Sequence, residues 1–171
     1  MKREAKKHSV AEQLPDGAIN NLRLGAARKR LASCRGQADA IEAIREIVSN
    51  FLGSEEMALY DFRSSEATRL WSFGATAEQC NLLDVLNEKV RGSIVRGECQ
   101  VEDLGGAHAR PGKKVQAFVP IRLGDQTVGV LAILHLLPQK AGFDASDIDI
   151  LKLLSDEAGK ALFVSTTSPP G

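Results

Sequence analysis

The sequence lacks the features that mark several common classes of protein. Its formal net charge is zero, and its longest apolar run, 128–137, is too short to span a bilayer. It has no Ser-His-Asp order, no glycine-rich phosphate loop and no HExxH pair. We therefore expect a protein without membrane insertion, and the sequence offers no catalytic residue to assign.

Cysteine is also scarce. The three cysteines, Cys34, Cys80 and Cys99, are far apart and form neither a CxxC motif nor a metal-ligand spacing. The charged start of the chain is not followed by the apolar segment of a signal peptide. Separated cysteines in odd number are typical of reduced thiols, so we expect a cytoplasmic protein without a metal site.

Charge is unevenly distributed although it sums to zero. Residues 1–36 hold nine basic and three acidic side chains, a surplus of six positive charges. A basic arm of this kind can contact nucleic acid, an anionic membrane or an acidic partner. No aromatic residue interleaves those charges to stack on bases, so we expect a solvated, disordered leader over 1–14 and no nucleic-acid role.

Apolar periodicity predicts two helices in the first third of the chain. Over 18–34 the apolar stripe is thin and includes Ile19 and Leu22, which suits half of a dimer seam or a helix that only partly docks. From 38 to 52 the stripe is stronger, with Ile41 on it, and Gly53 follows as a helix stop. We expect the second helix to pack on a sheet.

The C-terminal helix has the clearest local signature. Asp144 can cap the free N–H groups, Asp147 stands three residues later, and Phe143 can pack on Ile148. Its apolar face includes Leu151 and continues to residue 162, before a loose tail over 164–171.

Between these helices the pattern predicts a sheet. Short apolar and aromatic runs bounded by turn residues indicate strands, and a glycine-containing turn joins the last two of them. A further helical stretch and a glycine-rich loop stand among the strands. The predicted strands are 57–62, 68–73, 99–101, 115–122 and 126–136, with the helix over 78–95 and the loop over 105–114.

Three stretches resemble GAF domains. The hairpin 119–131 (VPIRLGDQTVGVL) is similar to the valine-proline-leucine strand, polar turn and glycine-containing strand of that family. The C-terminal element 143–147 (FDASD) with its leucine-rich helix, and the segment 92–103 (GSIVRGECQVED), also resemble the family. The resemblance covers about 37–163, which we take as the domain, preceded by a helix over 15–36 that is a possible dimer or partner element.

The resemblance implies an α+β fold of the GAF/PAS type. Its central antiparallel sheet would have five to six strands. The N- and C-terminal helices would pack on one face of that sheet, and a pocket-forming helix and loop segment would lie on the other. Gly129, inside a buried strand, leaves room for the close approach of either a helix or a ligand.

The resemblance also implies a sensory or regulatory role, with a ligand that the sequence does not identify. The family's cyclic-nucleotide binders carry an Asn-Lys pair and an Asp-Glu pair, whereas this chain has Gln139-Lys140 and Asp147-Ile148. Its bilin binders attach the chromophore through a cysteine that neighbours a histidine, and no cysteine here does so. The candidate pocket residues are Tyr60, Trp71, Phe73, Asp103, Phe118 and His135.

Signalling would pass through the terminal helices to a second copy or to another bacterial signalling protein, because no output domain is recognisable. The candidate interface residues are Ile19, Leu22, Ile41, Leu151 and Leu162. A second hypothesis is a scaffold or adaptor whose pocket is filled by its own side chains. A third is an enzyme resembling the free methionine-sulfoxide reductases, but the segment 108–117 lacks their cysteine, so we expect no enzymatic activity.

Overall fold

A computed structural model describes residues 16–64, 68–74, 92, 96–97, 99–101, 116–140 and 142–164. The predicted helix over 78–95 falls outside this range except at 92, the loop over 105–114 lies wholly outside, and so do the leader and nearly all of the tail. The elements are α1 (Asp16–Ala32), α2 (Gln37–Ile47), a π-helical turn (Val48–Leu52), β1 (Ser54–Asp61), β2 (Thr68–Phe73), β3 (Gln100–Val101), β4 (Ala117–Leu123), β5 (Gln126–Leu136) and α3 (Ala145–Phe163).

The strands form one sheet in the order β2-β1-β5-β4-β3, and every neighbouring pair is antiparallel. This confirms the predicted α+β architecture with an antiparallel sheet. Within the described residues four strands have six residues or more and β3 has only two, so the sheet reaches the lower number of the expected five to six only when this short strand is counted. β5 lies in the middle and is buried throughout 128–134, as a strand covered on both faces should be.

The three helices of the described residues lie on one side of the sheet. α3 lies on β4, while α1 and α2 pack against α3, and together they enclose the main apolar core. A Cβ at Gly129 would stand 2.8 Å from the Tyr60 carbonyl oxygen and 3.6 Å from the Phe163 ring. The close approach of a neighbouring strand and of α3 therefore accounts for Gly129, without a ligand.

α3 begins with the expected cap and then approaches the sheet closely. The Asp144 carboxylate accepts a hydrogen bond from the Asp147 N–H at 2.8 Å, and the Asp147 carboxylate accepts one from the Asp144 N–H at 2.9 Å. Farther along, a Cβ at Gly159 would stand 2.1 Å from the Arg122 carbonyl oxygen of β4. Only a glycine at this position lets α3 pack on β4 at the observed distance.

Two glycines end elements where the sequence predicts a break. Gly53 has φ of 69° and closes the π-helical turn, and Gly124 has φ of 62° in the turn between β4 and β5. Both φ values lie in the left-handed region, where residues with a Cβ are strained. These turns set the direction of β1 and the register of the central hairpin.

Candidate functional site

The side of the sheet away from the helices carries a second apolar cluster, which we call the pocket face. Strand alternation separates the two sides: Leu59 and Leu131 point into the main core, whereas their neighbours along β1 and β5 point the other way. The pocket face consists of Ala58, Tyr60, Phe62, Phe118, Val130, Ala132 and Leu134. It spans the three central strands β1, β5 and β4.

Small side chains occupy the middle of the pocket face. Ala58 pairs with Ala132 across β1 and β5, and Ala132 pairs with Phe118 across β5 and β4. Tyr60 lies beside this row, opposite Val130. A floor of alanines bordered by aromatic side chains is a shape that suits a small, partly apolar ligand.

A buried polar group stands directly before strand β4. Gln116 immediately precedes β4 and is 8% exposed, and its side-chain Oε1 has no hydrogen-bond partner among the described residues. Its backbone N–H donates to the Ile133 carbonyl at 2.7 Å, which holds it against β5. Buried acceptors are normally paired, since leaving one unpaired costs about 1–3 kcal/mol. The sequence alone does not single out Gln116, because an isolated glutamine beside a strand carries no pattern.

Two of the six candidate pocket residues, Tyr60 and Phe118, lie on the pocket face. Their contact with a ligand stays a prediction. His135 is half-buried near the end of β5, pairs with Glu56, and accepts a hydrogen bond from the Ser54 hydroxyl at its backbone carbonyl. Asp103 lies outside the described residues.

Trp71 and Phe73 lie on the helix side of the sheet, so the structure does not bring them together with Tyr60 and Phe118, and their contact with a ligand stays a prediction. Trp71 pairs with Leu59, and Phe73 with Met57, two side chains of the main core. Paired residues of antiparallel strands share a face, so both rings lie on the helix side. They stack with centroids 6.0 Å apart, and the Arg45 guanidinium lies 5.1 Å from the Phe73 ring centroid.

The five candidate interface residues differ in their exposure to solvent. Ile19 and Leu22 are 47% and 71% exposed on α1, so both are accessible to a partner. Ile41 is half-buried against the main core. Leu151 and Leu162 are fully buried inside the domain, so the prediction that they form an interface is corrected: α3 points them at the sheet.

Asp147 is the centre of a polar junction, a role that the sequence alone does not predict beyond helix capping. The residue is 1% exposed. Its carboxylate receives Lys140 Nζ at 2.7 Å and Arg23 Nη2 at 3.3 Å, in addition to the Asp144 N–H. Arg23 also donates to the Phe51 carbonyl at 2.6 Å and to the Ser146 hydroxyl at 2.8 Å. The junction therefore joins α1, the π-helical turn, the segment after β5 and the start of α3.

The environment of Cys99 disfavours a thiolate. Burial raises the pKa of this thiol, and Asp156 raises it further, while Lys152 and a hydrogen bond with Ser155 act in the opposite direction. Burial is also the main cause that raises the pKa of Cys34. A nucleophilic cysteine needs a lowered pKa, and the pKa of both thiols is shifted in the opposite direction. Lys113 and Lys114, which could lower the pKa of Cys99, lie outside the described residues.

Comparison with known proteins identifies one family and one fold. The family model described as GAF domain matches residues 34–162. No curated protein matches the sequence significantly. No helix in the described ranges combines the length and apolarity that a membrane crossing requires.

Solved structures of GAF domains resemble the chain. That of a phosphoenolpyruvate-protein phosphotransferase from Coxiella burnetii is 14% identical, with TM-score 0.61 over 86% of this chain and 95% of that one. That of the potassium sensor histidine kinase KdpD from Escherichia coli is 15% identical, with TM-score 0.52 over 83% and 92%. At such identities the likeness shows the fold alone.

Proposed function

The chain belongs to the GAF domain family, whose domains are generally sensory or regulatory, and on this basis we propose that it binds a small molecule on the pocket face and signals through its terminal helices. The observation that carries the proposal is the pocket face itself. Ala58 and Ala132 form a small-residue floor between Tyr60 and Phe118, and the main core does not use this side of the sheet.

Gln116 supports a ligand with a polar group. Its Oε1, unpaired within the part of the chain that the structure describes, would be satisfied by a hydrogen-bond donor, which a small molecule with an amine, hydroxyl or amide N–H can supply. The proposed ligand class is therefore a partly apolar metabolite that carries a donor.

Native mass spectrometry of the protein purified gently from its own host tests this proposal. A mass excess that disappears under denaturing conditions is the expected result, and it also gives the mass of the ligand. Ala132→Leu should remove the excess by filling the pocket floor. Ala38→Leu is the matched control, because the same enlargement lies at an exposed position on α2 and should leave the excess in place.

The bare mass of the chain in the unmodified protein would contradict ligand binding. A bare mass together with a second, different polypeptide would instead favour the adaptor hypothesis, in which deletion of residues 1–35 abolishes partner binding without unfolding the domain.

For signalling we propose a homodimer or a partner contact through the exposed part of α1. Support comes from Ile19 and Leu22, which lie three residues apart on one helix face and are both exposed. Light scattering after size exclusion should show a dimer that is lost in an Ile19→Ser, Leu22→Ser double variant. Asn21→Ser changes an exposed polar neighbour and should leave the dimer intact.

We propose no catalytic activity for the domain. Burial raises the pKa of Cys99, whereas a thiol that forms a sulfenic intermediate needs a lowered pKa. The purified protein should therefore not turn over free methionine sulfoxide. Turnover that is lost in Cys99→Ser would overturn this part of the proposal.

A further inference from the structure

Helix α1 buries fewer apolar side chains than its neighbour α2. Over its 17 residues, the buried side chains are Ala27 and Leu31, with Leu24 partly buried. The 11-residue α2 buries Ala40, Ala43, Ile44 and Ile47. Burial of apolar area is the main stabilising term in helix packing, so α1 depends more than α2 on other contacts.

Ion pairs supply those contacts. Each of the three arginines of α1 reaches a carboxylate on α2 or α3: Arg23 to Asp147, Arg28 to Glu157 at 2.9 Å, and Arg30 to Asp39 and Glu46, both at 2.9 Å. The amide of Asn20 adds a hydrogen bond to Asp149 at 2.8 Å. Three of the nine basic residues of 1–36 thus pair with acids of the domain.

Most of these pairs are accessible to salt. Arg28 and Glu157 are 59% and 35% exposed, and the two acids that hold Arg30 are exposed to a similar degree. Attraction between exposed charges is screened at high ionic strength, where the Debye length falls to about 3 Å. Arg23 differs from the other two, because its partner Asp147 is buried.

A short connection separates α1 from the rest of the domain. Only residues 33–36 lie between α1 and α2. Gly36 has φ of 114°, a backbone conformation that glycine adopts without strain. The Arg35 N–H donates to Asp39 at 2.9 Å, so this connection is itself held by one of the acids that bind Arg30. Rotation at Gly36 could move α1 without changing α2.

We propose that α1 is a releasable clasp: it is held on α2 and α3 largely by charge, and it can leave them while the sheet, α2 and α3 stay folded. Release frees an acidic surface formed by Asp39, Glu46, Asp147, Asp149 and Glu157, which α1 partly covers in the closed form. Arg23 is the principal anchor, since among the arginines of α1 it alone binds a buried carboxylate.

Hydrogen exchange of the full chain, followed by mass spectrometry, tests the clasp. Between about 0.1 M and about 1 M sodium chloride, exchange of α1 should accelerate roughly eightfold, because screening each of the three exposed ion pairs should speed it by about twofold. Exchange of β5 and α3 should stay unchanged. Equal protection of α1 and α3 at every salt concentration, lost only on global unfolding, would overturn the proposal.

Variants separate the clasp from general destabilisation. Arg23→Gln should accelerate exchange of α1 at low salt by more than Arg28→Gln does. Arg63→Gln is the matched control, because it removes an arginine paired with Asp61 on β1, and it should leave α1 unchanged. Faster exchange of β5 together with α1 in Arg23→Gln would show that α1 is an integral part of the fold and would refute the clasp.

Discussion

Replacing Gly159 with alanine tests how closely α3 lies on the sheet. The added Cβ would stand 2.1 Å from the Arg122 carbonyl oxygen and 2.9 Å from its carbonyl carbon. Both are backbone atoms of β4, so no side-chain rotation relieves the contact. To reach an ordinary distance α3 must move by about 1 Å, and overpacking of this kind costs about 1–3 kcal/mol or more.

The matched control is Gly25→Ala in α1. Gly25 is also helical, but nothing lies within 4 Å of the position that its Cβ would take, so this substitution carries only the propensity gain of about 0.5–1 kcal/mol. Gly159→Ala receives the same gain and should still lose about 2 kcal/mol overall. For a chain of this length that corresponds to a Tm lower by roughly 4–8 °C.

Urea unfolding followed by the fluorescence of Trp71, the single tryptophan, measures both variants. The expected order of midpoints is Gly25→Ala at or above the unmodified protein, with Gly159→Ala clearly below. Equal midpoints for Gly159→Ala and the unmodified protein would refute the inferred contact between α3 and β4. A loss of stability in Gly25→Ala as large as that in Gly159→Ala would show that the effect comes from losing a glycine and not from the clash.

Three other substitutions or conditions test the α3 region by chemical denaturation. Asp147→Asn should lower the free energy of unfolding by about 2–4 kcal/mol, because Arg23 and Lys140 lose their buried carboxylate partner. A decrease below about 0.5 kcal/mol would contradict the polar junction. Ser155→Ala should cost about 1–2 kcal/mol, since the Ser155 hydroxyl donates to the buried Pro120 carbonyl; an unchanged midpoint would argue against this bond. Hydrogen bonds from Ser146 and from the Asp147 N–H lower the pKa of Asp144, so its contribution is complete above about pH 4 and is lost as pH falls through the lower folded pKa. Asp144→Asn should flatten that acid dependence, and an identical pH profile would refute the assignment.

Local signals in the sequence were enough to predict most elements. The spacing of Asp144 and Asp147 indicates a capped helix, and the structure contains that capping box. Gly53 and Gly124 stand where the pattern requires a stop and a turn, and both have the left-handed φ that glycine allows. Such features depend on residues a few positions apart, which is why a single sequence reveals them.

The faces of the sheet could not be predicted as reliably. Trp71 and Phe73 are aromatic and flank Ser72, but Leu70 precedes them, so the pattern does not decide which face of the strand they occupy. Their pairing with Leu59 and Met57 decides the side, and register is a property of two strands together. The same limit applies to Leu151 and Leu162, whose apolar character indicates burial but not whether a sheet or a second molecule provides it.

The polar junction was beyond sequence reasoning for a different reason. Arg23 and Asp147 are 124 positions apart. One arginine among the nine basic residues of the first 36 carries no mark that distinguishes it. Only the packing of α1 beside α3 brings these two charges together.

The relative direction of α1 and α3 has a practical consequence. Asn20 contacts Asp149 and Arg28 contacts Glu157, so the two helices run side by side in the same direction. The 19 residues of α3 extend over about 28 Å at 1.5 Å per residue. Fluorophores attached at Gly17 and Val164, both exposed, would therefore sit at opposite ends of the helix layer. Energy transfer between them would report the distance between the start of α1 and the end of α3.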